Sequence, residues 1–282
     1  MKLSLPTAEI FVPDGSPIDA AVARATHVGV SAHQDDLEIM AYHGILETFG
    51  RAVSHFLGIV VTNGAGSPRS GLYADYTDQM MQSVRRVEQR KAAYVGEYAA
   101  QALLDYPSSA VKDPGNTSVL ADLKALLGAA RPRVVYTHNL ADKHDTHVAV
   151  ALRVIRALRE LPAEQRPERV YGCEVWRGLD WMNDNDKMVL EVAAHENLAA
   201  ALLGVFDSQI AGGKRYDLAT MGRRRANATY FASHGTDESE GLTFAMDMTP
   251  LVADPLLDPG EYVAGYIERF AREVTSRVRQ FS

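Results

Sequence analysis

Two short stretches set imidazoles beside carboxylates: His33-Gln34-Asp35-Asp36 and Asp142-Lys143-His144-Asp145-Thr146-His147. Carboxylates crowded against a histidine cost desolvation energy unless a cation or hydrogen bonds compensate, so the first stretch asks for a metal, and it is the two stretches together that favour one. His33 and Asp36 are three apart, a spacing at which the first turn of a helix aims both side chains at one point. With His147 added, one carboxylate and two imidazoles leave a coordination position open for water, the pattern of a catalytic rather than a structural zinc site. The plainer alternative makes Asp35 or Asp36 an N-cap that satisfies the free N–H groups of a helix.

The elements around these stretches have to bring them together. His27 to Ala32 reads as a strand, and Leu37, Met40, Ala41, Ile45 and Phe49 then recur at helical spacing up to Gly50. A second strand, Val53 to Val61, runs into Thr62-Asn63-Gly64-Ala65-Gly66, which taken alone reads as a long surface loop. Helical periodicity covers residues 78 to 104. A third strand, Val134 to Thr137, ends at His138, and a helix from about Val148 to Glu160 follows the second stretch. Arg169 to Trp176 is a fourth strand. Alternating strands and helices predict an α/β fold with a parallel sheet covered on both faces, and ligands bind beyond the carboxyl ends of such strands. If the strands before His33 and His138 are parallel neighbours, both clusters lie at one edge. The core spans about 27–177. A mostly helical C-terminal extension, about 178–282, carries helices over Asp186 to Leu203, Leu218 to Phe231 and Tyr262 to Phe281, all within one domain of residues 1–282.

The chain has 282 residues, 46% of them hydrophobic, and a formal net charge of −7, a field that disfavours general nucleic-acid binding. No stretch reaches the ~18 apolar residues of a membrane span, and the N-terminus lacks a secretory core. The single cysteine, Cys173, reads as a buried, inert thiol, compatible with a reducing cytoplasm. The basic run Arg223-Arg224-Arg225 reads as a solvated face.

Ala32-His33-Gln34-Asp35-Asp36-Leu37-Glu38 resembles the Ala-His-Pro-Asp-Asp-x-Glu motif of the PIG-L/LmbE family of metal-dependent N-deacetylases. The stretch Asp142 to His147 is similar to that family's Asp-x-His-Pro-Asp-His motif, Arg85-Arg86-Val87-Glu88 to its Arg-x-x-Glu helix, and Ser208-Gln209 to its Ser-Gln segment. The resemblance spans about residues 27–210. It implies a Rossmann-like, mostly parallel sheet, with His33, Asp36 and His147 as zinc ligands, Asp35 as general base and His144 as an imidazolium at the oxyanion. Zn²⁺ is the implied metal, with Fe²⁺ as a substitute. Arg85, Asn63 and Asp142 are the expected substrate contacts. Two departures stand out: Gln34 replaces proline, and Asp145-Thr146 replaces Pro-Asp, which displaces a carboxylate by one position.

The implied reaction is removal of an N-acetyl or other N-acyl group from a small-molecule amino sugar or glycoconjugate, with metal-activated water as nucleophile. A non-sugar amidase, or a metal- or sugar-binding protein without hydrolysis, stays open beside it. Part of residues 205–245, including Tyr216, Arg223 to Arg225 and His234, is expected to wall the pocket, because helices added to a complete α/β core must cover something. The apolar C-terminal helices are compatible with self-association.

Overall fold

Eight strands form one sheet in the computed structural model, which describes residues 1–282: β1 (Glu9–Phe11), β2 (His27–Ser31), β3 (Phe56–Thr62), β4 (Ala100–Tyr106), β5 (Val134–His138), β6 (Arg169–Cys173), β7 (Lys187–Glu191) and β8 (Leu242–Asp247). Their order across the sheet is β1-β4-β3-β2-β5-β6-β8-β7. The five strands from β4 to β6 in that order are parallel, while β1, β8 and β7 join antiparallel. This is the expected α/β class. From β2 the chain steps outward through β3 and β4, then returns to lay β5 against the other side of β2. The strand order therefore reverses between β2 and β5, and the crevice beyond their carboxyl ends is where such sheets bind ligands.

The sheet is buried on both faces. Leu57, Ile59 and Val61 of β3 enter one apolar layer while Phe56 and Val60 enter the other, the alternation that a period of two imposes. Gly29 of β2 and Gly58 of β3 are register partners, and a Cβ on either would come within 2.9 Å of a Leu37 methyl. This bare patch lets the short helix Asp36–Met40 sit directly on the strands it follows. Complete burial of Leu37 there contributes about 2 kcal/mol.

Two stretches fold differently from their sequence pattern. The helix expected over 78–104 stops at Val95, and β4 follows after Gly96 and Glu97, the latter at φ 54°. Ala-Gln-Ala-Leu-Leu in β4 has no strand preference of its own; pairing with β3 on one side and β1 on the other makes it a strand. The extension is helical in the main, over Glu196–Gly204, Tyr216–Tyr230 and Pro259–Gln280, but it also contributes β7 and β8. Lys187–Glu191 lies where a helix was expected from Asp186, and its ladder to β8 overrides that pattern. No helix is long and apolar enough to cross a membrane.

Glu174, the residue after β6, fastens the extension to the core. Its buried carboxylate accepts hydrogen bonds from Leu179 N (2.6 Å), Asn227 Nδ2 (2.9 Å), Phe244 N (2.9 Å) and Thr243 Oγ1 (3.3 Å). Glu174→Ala would strand several buried donors, so equilibrium unfolding in denaturant is expected to show a loss of about 3 kcal/mol or more. Glu174→Gln, which keeps one acceptor oxygen, should lose less; equal stability of all three proteins would refute this role. Cys173 is fully buried, and burial pushes its thiol above the ordinary range, in keeping with an inert side chain.

Candidate metal centre

The strand β2 delivers its chain into a tight corner. His33 N–H donates to Asp36 Oδ2 at 2.7 Å, closing a turn across Gln34 and Asp35, and Asp35 takes φ 93° to make the bend. Asp36 then opens the helix Asp36–Met40. From the other side of the strand-order reversal, the loop after β5 leads into the helix Asp145–Arg159, whose first turn carries the fully buried His147.

The two corners meet. His33 Nδ1 lies 3.3 Å from Asp36 Oδ2, His147 Nε2 lies 3.4 Å from the same oxygen, and the two nitrogens are 3.2 Å apart. Ligand atoms at ~2.0–2.1 Å around a tetrahedral zinc stand about 3.3–3.4 Å from one another, so this donor triangle has the dimensions of one face of such a site. The charge balance agrees. Asp35, Asp36, Glu38 and Glu88 are all buried, with Arg85 the guanidinium that offsets them at Asp35. Burial, helped by Asp36, Glu38 and Glu88 and opposed by Arg85, holds the Asp35 carboxyl well above the usual carboxylate range. Glu38 is pushed up to about 7 by burial, although Tyr98 Oη and Gln89 Nε2 both donate to it at 2.8 Å. Burial would raise Asp36 too, but His147, His33 and His138 pull it below the ordinary range, as expected of a carboxylate surrounded by positive or donor groups. A divalent cation fits this donor set and its surplus of buried acid.

His138 is the site residue that the sequence reading left unassigned. It is fully buried at the end of β5, stacks on His147 with centroids 3.8 Å apart, and lies 3.5 Å from Asp36 Oδ2. Its Nε2 accepts from Ala32 N–H at 2.9 Å, which commits that nitrogen to fixing β2 against β5 rather than to a metal. The available signal was positional: a histidine closing a strand that neighbours β2.

Asp142, expected to touch substrate, is turned inward. Its carboxylate accepts from His144 N (3.0 Å) and Trp176 N (3.1 Å) and lies 3.5 Å from His147 Nδ1. It places a carboxylate beside the imidazole nitrogen opposite the one that faces Asp36, the position from which an outer carboxylate can fix the tautomer of a metal-binding histidine. The displaced Asp145 is exposed in the first turn of its helix and takes no part, while Thr146 is buried. Asn63 Oδ1 accepts from Ala65 N at 3.2 Å, a bond that shapes the loop in which it sits.

That loop is part of the site. Gly64, at φ 74°, packs so closely that a Cβ would come within 2.4 Å of Gln34 Oε1 and 3.0 Å of Arg85. Arg85 is buried rather than solvated, donating to Gln34 O (2.6 Å) and Gly64 O (3.3 Å), with Nη2 3.8 Å from Asp35 Oδ2. Gln89, one turn on, accepts from Asp35 N at 3.3 Å, and Glu88 accepts from Ser208 N (2.7 Å) and Oγ (2.6 Å). The helix Asp78–Val95 therefore presents a buried polar stripe that holds Asp35, the glycine loop and the Ser208-Gln209 segment together.

A cavity of about 430 Å³ opens onto His33, Asp35, Asp36, Arg85 and His144. Of residues 205–245, Gln209, Lys214 and Tyr216 line it. Arg223 to Arg225 do not: Arg223 donates to Val175 O, Arg224 is buried against Glu38 O and Ile39 O, and Arg225 pairs with Glu196. His234 is exposed away from it. His144, expected as an imidazolium at the oxyanion, lines the same cavity, and burial together with His147 and His33 lowers it from the ordinary histidine range.

Residues 28–158 match the family model described as PIG-L: GlcNAc-PI de-N-acetylase. No curated protein sequence matches the chain. Among solved structures, the fold is similar to GalB, the 4-carboxy-2-hydroxymuconate hydratase from Pseudomonas putida KT2440 (14% identity, TM-score 0.57, 80% of this chain and 97% of that one). It is also similar to the N,N'-diacetylchitobiose deacetylase from Pyrococcus horikoshii (16%, 0.56, 78% and 84%). The zinc-inhibited form of teicoplanin deacetylase Orf2 matches to the same degree (15%, 0.56, 78% and 96%). At these identities the likenesses speak to the fold.

Proposed function

We propose, from the match of residues 28–158 to the PIG-L family model, that the protein is a metal-dependent N-deacetylase that hydrolyses the acyl amide of an amino sugar or sugar conjugate. The observation that carries this reading is the separation of two adjacent carboxylates: Asp36 converges with His33 and His147, whereas Asp35 stands outside that triangle, faces the same cavity and is held by Arg85. A pure binding site has no use for a buried acid kept off the metal.

His33, Asp36 and His147 would hold the cation, which when bound supplies Lewis acidity, lowering the pKa of water toward ~7 and polarising an acyl carbonyl. Asp35, held beside Arg85 and facing the cavity, accepts the proton of the attacking water and returns it to the amine nitrogen as the C–N bond breaks. His144, lining the cavity, donates its N–H to the oxygen on which negative charge develops, a contribution on the order of 3 kcal/mol. Arg85 anchors Asp35 and the Gly64 loop in one geometry, and Asp142 keeps His147 from turning. The products are a carboxylate and a free amine.

The likeness to a hydratase of a carboxylate-bearing substrate supports one second reading, in which the same base and donor set add water to a carbon–carbon double bond. A panel tests the deacetylase reading. The protein loaded in turn with Zn²⁺, Fe²⁺ and Mn²⁺ is assayed for acetate release from free, phosphorylated, lipid-linked and glycoside-linked N-acetyl amino sugars and from simple acetamides. Acetate from an amino sugar is the expected result; acetate from simple acetamides alone would make it a general amidase, and none from any would remove the deacetylase reading.

A further inference from the structure

The chain has seven lysines in a protein of net charge −7, and most of its basic side chains are spent on structure. Lys124 and Lys187 pair with carboxylates. Of the five lysines without a carboxylate partner, three gather at one place. Lys112, at the end of the helix Ser108–Lys112, and Lys214, in the loop after the helix Asp207–Ile210, both line the cavity over the metal centre. Lys143 comes from the His144 loop and holds its ammonium 5.8 Å from the Trp176 ring centroid; Lys214 holds its own 5.0 Å from the same ring. Trp176 lines the cavity and meets Tyr216 edge-on at 6.0 Å. A ring face orients an ammonium without neutralising it.

The acids of the cavity lie elsewhere. Its two lining carboxylates, Asp35 and Asp36, are at the floor, one engaged by Arg85 and the other by the histidines. Three separate segments of the chain thus bring uncompensated positive charge to the mouth of a cavity whose floor handles the amide. None of the three has a carboxylate partner there.

Resting on the deacetylase reading, we infer that the substrate is an anionic N-acyl compound, with a phosphate or carboxylate group held at the mouth by Lys112 and Lys214, Lys143 adding to the field, while its amide reaches the metal centre. Trp176 and Tyr216 flank the body of the molecule between the two ends. Charge-assisted hydrogen bonds from the ammonium groups to the anion give the mouth its selectivity.

The test compares neutral with anionic probes by two readouts. Acetate release is measured for N-acetylglucosamine, its 1- and 6-phosphates and the carboxylate-bearing N-acetylmuramic acid, with the wild type, Lys112→Gln, Lys214→Gln and the double variant. Binding of glucosamine and glucosamine 6-phosphate is measured in parallel by calorimetry. At least one anionic substrate is expected to exceed N-acetylglucosamine in kcat/KM by roughly tenfold or more per ammonium contact, with KM rising as salt is added. In the double variant that preference should fall toward unity; the phosphate and carboxylate arms tell which anion the mouth takes. Equal kcat/KM for neutral and anionic substrates, or a preference that survives in the double variant, would overturn the inference and leave deacetylation standing. Lysine-dependent tightening for glucosamine 6-phosphate without acetate from any substrate would keep the anionic mouth and remove the deacetylase reading. No tightening in the binding arm counts against the mouth whatever the acetate assay shows.

Discussion

Asp35→Asn should release acetate roughly 10²–10⁴-fold more slowly than the wild type while binding the same amount of metal. The amide side chain keeps the size of the carboxylate and tolerates φ 93° at least as well, so the corner from His33 to Asp36 is preserved. It has no basic oxygen with which to take a proton from water or return one to the leaving amine. Metal content should not change, because Asp35 lies outside the His33, Asp36, His147 triangle. A fall in kcat with little change in KM, and metal by mass spectrometry equal to wild type, is the expected pattern. Wild-type turnover in this variant would remove Asp35 as the base, and loss of metal would make it a ligand.

Removing a ligand should act earlier and harder. His147→Ala takes one vertex from the triangle and leaves Asp36 buried without its strongest positive influence, so the protein should bind metal poorly and lose activity by about 10³-fold or more. Asp142→Asn supplies the graded comparison. It keeps all three donors but weakens the hold on His147 Nδ1, and a loss of about 10–100-fold in metal affinity is expected, with activity restored by excess metal. Competition against a chromophoric chelator gives the affinities. His147→Ala with a full complement of metal, or Asp142→Asn with unchanged affinity, would show that the cation sits elsewhere.

The two βα corners were legible in the sequence because each combines a wholly apolar strand with a polar cluster at its end, and few structures other than a strand entering a site have both. β2 and β5 were found for that reason. β4 and β7 were hidden, since alanine, leucine, lysine and glutamate suit helices and only neighbouring strands decide otherwise. The polar stripe of Arg85, Glu88 and Gln89 was hidden by the opposite error: charged residues on a long helix read as solvated, yet these are buried because the site needs donors and acceptors below it. Arg224, inside the basic run, was concealed in the same way. Asp142 was named, but its direction depends on the loop after β5, whose conformation no spacing rule supplies.

The corner at Asp35 has one more consequence. A backbone at φ 93° is one that glycine adopts freely, whereas a residue with a Cβ gives up about 1–3 kcal/mol to stay there. If Asp35 is the base, folding and turnover pull this position in opposite directions. Under the proposed mechanism, Asp35→Gly would relieve the strain at this corner and remove the base together with it.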